Sequence, residues 1–220
     1  MRPLVIFGTG ESAELAHFYF TRDAKRSVAA FTVDGEYLKQ TTFCGLPVSG
    51  MAEVQKAFPP QSHDFFVAIG YARINAARAE KCAQARGMGY RLATYLSSRA
   101  TAWPGFEPAD NCFILEDNTI QPFVTIGENV TLWSGNHIGH HTRIGANCFI
   151  ASQVVISGGV QVGDNVFIGV NATLRDQVKV GARSVIGAGS LVLEDVPEDG
   201  VVAARGTELS KVPSHRLRRL

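Results

Sequence analysis

The stretch Ile126-Gly127-Glu128-Asn129-Val130-Thr131-Leu132-Trp133-Ser134-Gly135-Asn136-His137-Ile138-Gly139-His140-His141-Thr142-Arg143-Ile144 carries an aliphatic residue at every sixth position. The beat runs unbroken from Ile114 to Val192, fourteen positions, each Ile, Leu or Val. In a chain with 45% hydrophobic residues, such a run arises by chance with a probability on the order of 10⁻⁵, so it needs a structural cause. A period of six matches neither an amphipathic helix nor a half-buried strand by itself. It fits a solenoid of short strands in which each hexad forms one side of a coil.

The other positions of the hexad agree. Glycine follows the aliphatic residue at 127, 139, 145, 163, 169, 181 and 187, where a sharp bend is expected to need positive φ. The fourth residue after it is small or β-branched, as in Val124, Val130, Thr142, Ser184 and Ser190, which suits a second inward position. Three hexads make one coil, so residues 18 apart stack. This pattern resembles the hexapeptide-repeat, left-handed parallel β-helix proteins, with the resemblance running from about Cys112 to Leu193. Several activities share that helix, so it fixes the fold more tightly than the function.

The remaining composition narrows the field. A chain of 220 residues holds one or two domains. A net charge of +1 gives no general case for nucleic acid or an acidic membrane surface. The basic run Arg216-Leu217-Arg218-Arg219 reads as a solvated tail. Cys44, Cys82, Cys112 and Cys148 are far apart, and reduced thiols in the cytoplasm are the simplest reading. The apolar run at Leu4–Phe7 is too short for a signal peptide or membrane anchor.

The first third predicts a small Rossmann-like α/β domain over 1–96. A strand at Leu4–Phe7 leads into Gly8-Thr9-Gly10-Glu11-Ser12-Ala13 and then a helix, matching G-x-G-x-x-A. Those glycines let backbone N–H groups approach a phosphate at the helix N-terminus, or simply close a tight turn. A second strand, Ser27–Val33, ends at Asp34, which suits a ribose or base contact. A third, Phe65–Ile69, ends at Gly70-Tyr71, with a helix expected from about Ala72 to Arg86; a fourth is Arg91–Tyr95. Tyr71, Arg73 and Asn75 are placed to line the strand-end crevice. With no second nucleotide-binding half, a mononucleotide-type site fits better than a dinucleotide oxidoreductase. Residues 97–111 read as a linker and irregular first turn, 112–193 as the left-handed β-helix, and 194–220 as a cap and tail.

Three of the six histidines cluster in Asn136-His137-Ile138-Gly139-His140-His141. His140 and His141 fall at a coil corner, away from the inward stack. Stacking by 18 sets Gly158 and Gly159 beside them, and two residues without side chains are expected to leave a gap for substrate. An imidazole there is suited to take a proton at neutral pH. An exposed corner that binds nothing is the plainer alternative. Zinc fits poorly, because adjacent His140 and His141 converge badly on one tetrahedral ion; no metal is expected.

An α/β nucleotide domain followed by this β-helix is similar to the bacterial sugar acyltransferases, including N-acetyltransferases of nucleotide-linked amino sugars and the sialic acid O-acetyltransferase-like proteins. The resemblance implies sugar-nucleotide binding by Gly8, Thr9, Gly10 and Asp34, with Gly70, Tyr71, Arg73 and His137 as further substrate residues. It implies a catalytic base at His140, in Ile138-Gly139-His140, and acetyl-CoA as co-substrate near Gly158, Val170 and Ala188. It further implies direct transfer, with Gly158 as a candidate oxyanion donor, and a homotrimer with sites between subunits. His141 stands where related enzymes carry an acidic residue, so the group that orients His140 is open between Asn136 and His137. Ala204-Arg205-Gly206-Thr207 departs from the usual segment near the CoA adenine. N-acetylation of a 4-amino-4,6-dideoxy sugar leads; O-acetylation of a sugar, and a non-catalytic trimeric scaffold, are the alternatives.

Overall fold

The computed structural model describes residues 1–204 and 206–216; Arg205 and the tail residues Leu217, Arg218, Arg219 and Leu220 lie outside them. The N-terminal part is an α/β sandwich. It comprises β1 (Leu4–Phe7), α1 (Glu11–Arg22), β2 (Val28–Val33), β3 (Thr42–Phe43), β4 (Leu46–Gly50), α2 (Val54–Ala57), β5 (Asp64–Val67) and α3 (Ala76–Gly87). The sheet order is β3-β4-β2-β1-β5, parallel except for the β3–β4 pair. β1 is buried along its length, which its unbroken Leu-Val-Ile-Phe run requires of a strand covered on both faces.

The helix expected from Ala72 begins only at Ala76. Arg73, Ile74 and Asn75 all have positive φ, a left-handed turn that no α-helix can include. The expected fourth strand is divided. Leu92 bridges to Phe65 in the α/β sheet, whereas Tyr95–Leu96 already pairs with Phe113–Ile114 in the solenoid.

From Tyr95 onward the chain winds as a left-handed β-helix with three parallel faces. Face one runs from Tyr95–Leu96 to Val201–Val202, face two from Thr101–Ala102 to Leu191–Val192, and face three from Thr125–Ile126 to Lys179–Val180. Up to Val192 partners are 18 residues apart, as in Leu132↔Ile150 and Ile138↔Ile156. The first coil thus opens at Tyr95–Leu96 and continues through 97–111, since Thr101–Ala102 pairs with Thr119–Ile120. At the other end the spacing contracts to 16: Val180 bridges Val196 and Ile186 pairs with Val202. The six-residue beat stops at Val192, but the solenoid continues for part of another coil.

All fourteen beat residues are buried, and with the second inward positions they form one core. The glycines that follow the aliphatic residue do not take the positive φ expected of them. They are required by close approach instead: a Cβ on Gly139 would sit 2.6 Å from the Gly158 nitrogen, and one on Gly163 2.6 Å from that of Ala182. Positive φ belongs to a second six-residue beat, from Asn111 through His141 to Gly189, filled mainly by Asn, Asp, Gln and Gly.

The α/β part docks on face one, whose outward residues Tyr95, Phe113 and Phe149 are buried against it. Arg78 of α3 is 2% exposed, and its five N–H groups go to neutral oxygens: Asn129 Oδ1 and O, Cys148 O, Gly70 O and Asn75 Oδ1. Burial lowers its pKa to about 10, and the guanidinium stays charged at neutral pH. Among the described residues no helix is long and apolar enough to cross a membrane.

Candidate active site

The corner between faces two and three carries the histidine pair. His140 Nδ1 lies 3.1 Å from His141 Nδ1, so one ring donates and the other accepts. The His140 backbone N–H donates to Gln121 Oε1 at 2.8 Å, and the His141 N–H to Pro122 O at 3.2 Å. His141 takes the left-handed conformation (φ 59), and its ring meets Phe123 at 4.7 Å between centroids. Phe123 had no sequence-derived role. Its signal was its place on the left-handed beat, 18 residues before His141.

Gly158 and Gly159 do not leave a gap. A Cβ on Gly158 would lie 2.6 Å from His140 Cε1 and 2.8 Å from Nε2, so the imidazole itself occupies that space. Gly159 is covered by the Gln177 amide. Gly158 is therefore the seat of the ring. Among the described residues its N–H has no hydrogen-bond partner, and that donor lies beside the imidazole.

The expected orienting groups are elsewhere. Asn136 is buried inside the coil, where its amide donates to Asn118 Oδ1 and Trp133 O and its Oδ1 accepts from Val154 N–H. His137 sits on a face-two strand and makes no hydrogen bond to His140 among the described residues. The group within reach of His140 Nδ1 is His141. Cys112 and Cys148 point into the core; burial pushes their thiols up to about 11 and about 12, so neither is a poised nucleophile.

A second group of residues lies at the strand ends of the α/β part. Gly8 has φ 121, and a Cβ there would approach Ala68 O to 2.8 Å, so packing alone requires glycine. Gly10 caps α1 and faces open space. The first turn of α1 carries Glu11 and Glu14, which already complement the helix dipole. The cation of this crevice is Lys81, whose Nζ donates to Asp34 Oδ1 at 2.7 Å and lies 5.3 Å from the Phe7 ring centroid. A reading of strand ends could not find Lys81, because it arrives from α3. Arg73 is exposed and paired with Glu80. Asn75 turns away from the crevice, donating to Val166 O in the solenoid.

Gly70 leads to Tyr71, 55% exposed, whose ring meets Phe149 at 5.0 Å and Phe167 at 4.8 Å. These rings, with Trp133, Ser152, Val170 and Ala188, line an uncharged groove of about 390 Å³ at the corner between faces one and two. The fold thus brings Gly158 to His140, and Val170 and Ala188 to Tyr71. It does not bring these two sets together. They sit at opposite ends of face two, one six-residue side apart, roughly 15–20 Å.

The family model that matches is bacterial transferase hexapeptide (six repeats), over residues 123–158 and 159–194. Both matched segments lie within the solenoid. No curated protein matches the chain by sequence. Among solved structures, a histidine-to-asparagine variant of perosamine N-acetyltransferase from Caulobacter crescentus, in complex with CoA and GDP-perosamine, is similar with TM-score 0.82 and 26% identity, covering 90% of this chain and 92% of that one. PerB from Caulobacter crescentus, with the same two ligands, gives TM-score 0.81 and 27% identity over 90% of this chain and 92% of its own. The acetyltransferase domain of PglB from Neisseria gonorrhoeae FA1090 gives TM-score 0.81 at 21% identity, over 93% and 97%, a likeness of fold alone.

Proposed function

We propose that this protein transfers the acetyl group of acetyl-CoA to the amine of a nucleotide-linked amino sugar, with His140 as general base. The observation that carries the reading is the seating of His140: an imidazole fixed over Gly158, backed by His141, on a transferase hexapeptide solenoid. The two Caulobacter relatives with CoA and GDP-perosamine support the substrate class.

In this mechanism the neutral amine attacks the thioester carbonyl while His140 Nε2 takes its proton. Nε2 is free to accept when Nδ1 carries the hydrogen and donates it to His141 Nδ1. His141 thus fills the role of an orienting carboxylate without adding a negative charge. The unpaired Gly158 N–H is the candidate oxyanion donor. The tetrahedral intermediate collapses by expelling the CoA thiolate, which receives the proton from His140.

The separation of the two residue sets supports a site shared between copies. Face two presents Thr119, His137, Val155, Thr173 and Leu191, with no charged strand residue, whereas face three presents Arg143 and Lys179. Three copies packed by face two bring the His140 corner of one beside the Tyr71, Val170 and Ala188 corner of the next. In that arrangement His137 lies in the subunit contact, and Asp34, Lys81, Thr9, Gly10 and Gly70 hold the nucleotide.

The test is CoA release with acetyl-CoA and GDP-, UDP- and dTDP-linked amino sugars, alongside hydroxyl-only sugar nucleotides. Release with one amino sugar, and its loss in His140→Ala, are expected. Transfer confined to hydroxyl acceptors would convert the reading to O-acetylation. Failure to bind acetyl-CoA at millimolar concentration would remove it. A monomer in sedimentation would break the shared site.

A further inference from the structure

We infer that Phe123 is a positioning residue for the histidine pair, an inference that rests on the proposed acetyl transfer. The left-handed beat from Asn111 to Gly189 is filled mainly by residues that tolerate positive φ. Only two rings stand on it, Phe123 (φ 66) and His141 (φ 59). A bulky aromatic in this conformation is disfavoured, and such outliers cluster where function requires them. Burial does not offset it, because Phe123 is 74% exposed. Neither backbone preference nor the core accounts for this ring.

Its position against His141 does. Both residues occupy the same corner of successive coils, and their rings lie 4.7 Å apart at 40°. A second side chain of the same turn reaches the pair: Gln121 Oε1 accepts the His140 N–H. The bond from the His141 N–H to Pro122 O is the one the solenoid repeats along the left-handed beat, so Gln121 and Phe123 are the side chains that hold the pair from one coil below. The Phe123 ring restricts the rotation of His141 and so holds its Nδ1 at 3.1 Å from His140 Nδ1. Phe123 acts through His141 and touches no reacting atom.

Phe123→Asn tests this, since asparagine is the commonest residue on the beat and folding is expected to survive with Tm unchanged or raised. The expected result is a fall in kcat of about tenfold, with KM for both substrates within about twofold of wild type, and recovery in Phe123→Tyr. Imidazole NMR of the same variants reads the positioning without turnover: the His141 ring signals should lose their upfield displacement and the pair its single tautomer. A raised KM for acetyl-CoA at unchanged kcat would make the ring a binding contact and overturn the inference. Unchanged kcat and unchanged imidazole signals would also overturn it. If His140→Ala retained full activity, the transfer reading would fail, while the NMR result would still decide what Phe123 does.

Discussion

Two corners of the same solenoid, built on one backbone pattern, do opposite things. At the corner between faces three and one, the left-handed positions include Asn111, Asn129, Asn147, Asn165 and Arg183. Asn111 exchanges hydrogen bonds with Val67 and donates to Asn129, which donates to Asn147 and accepts from Arg78. The bonds with Val67 and Arg78 hold the α/β part to the coil, and those between asparagines join successive coils. At the corner between faces two and three, the equivalent positions are Phe123, His141, Gly159 and Gln177. The Phe123 and His141 rings there meet at a tilt of 40°, and the His140 ring lies over Gly158. The same turn geometry therefore serves docking where the α/β part packs on it, and stays open where two imidazoles stand on it.

The comparison can be broken at the histidine corner first. His140→Ala should lower kcat by about 10²–10⁴-fold while leaving the free energy of unfolding within about 1 kcal/mol of wild type, because the ring contributes nothing to the core. Unaltered turnover would remove the distinction between the corners. Gly158→Ala should cost about 10²-fold in activity, since the new Cβ displaces the imidazole; a crystal structure of the variant should show the ring rotated out.

At the docking corner the effect should be on stability. Asn129→Ala removes acceptors from Arg78 Nε and Asn111 and a donor to Asn147, and should cost about 2 kcal/mol in denaturant unfolding. Turnover per folded molecule should change little. A kinetic defect larger than the stability defect would show that the corners are coupled. The smallest effect concerns Asp23, at the end of α1. Hydrogen bonds from the Ser98 hydroxyl and N–H and from the Tyr95 hydroxyl hold its carboxyl below the ordinary range. Its stabilisation is full above the unfolded carboxylate pKa near about 4 and is lost as pH falls through the lower folded value. Asp23→Asn should flatten the acid limb of unfolding free energy against pH by under about 1 kcal/mol.

Much of this molecule is legible along the chain because the solenoid is nearly one-dimensional. Each coil contacts only its neighbours, so a period of six and a stack of 18 carry most of the geometry. That arithmetic put His140 next to Gly158. It could not say that the ring fills the glycine rather than leaving a gap, because periodicity carries no side-chain rotamers. Nor could it separate the two kinds of turn glycine, those forced by close approach and those holding positive φ. Lys81 and Arg78 were illegible for another reason: both come from α3, across a domain contact with no sequence period.

Local repetition and burial, both readable along the chain, set the β-helix, its inward residues, the α/β part in front of it and the corner that carries the histidines. Only the tertiary structure decided that His141 is the partner of His140, that Asn136 belongs to the core, and that the Tyr71 groove and the histidine pair lie at different corners. Those facts depend on which side chains meet after the chain has closed three faces and docked a second unit on one of them.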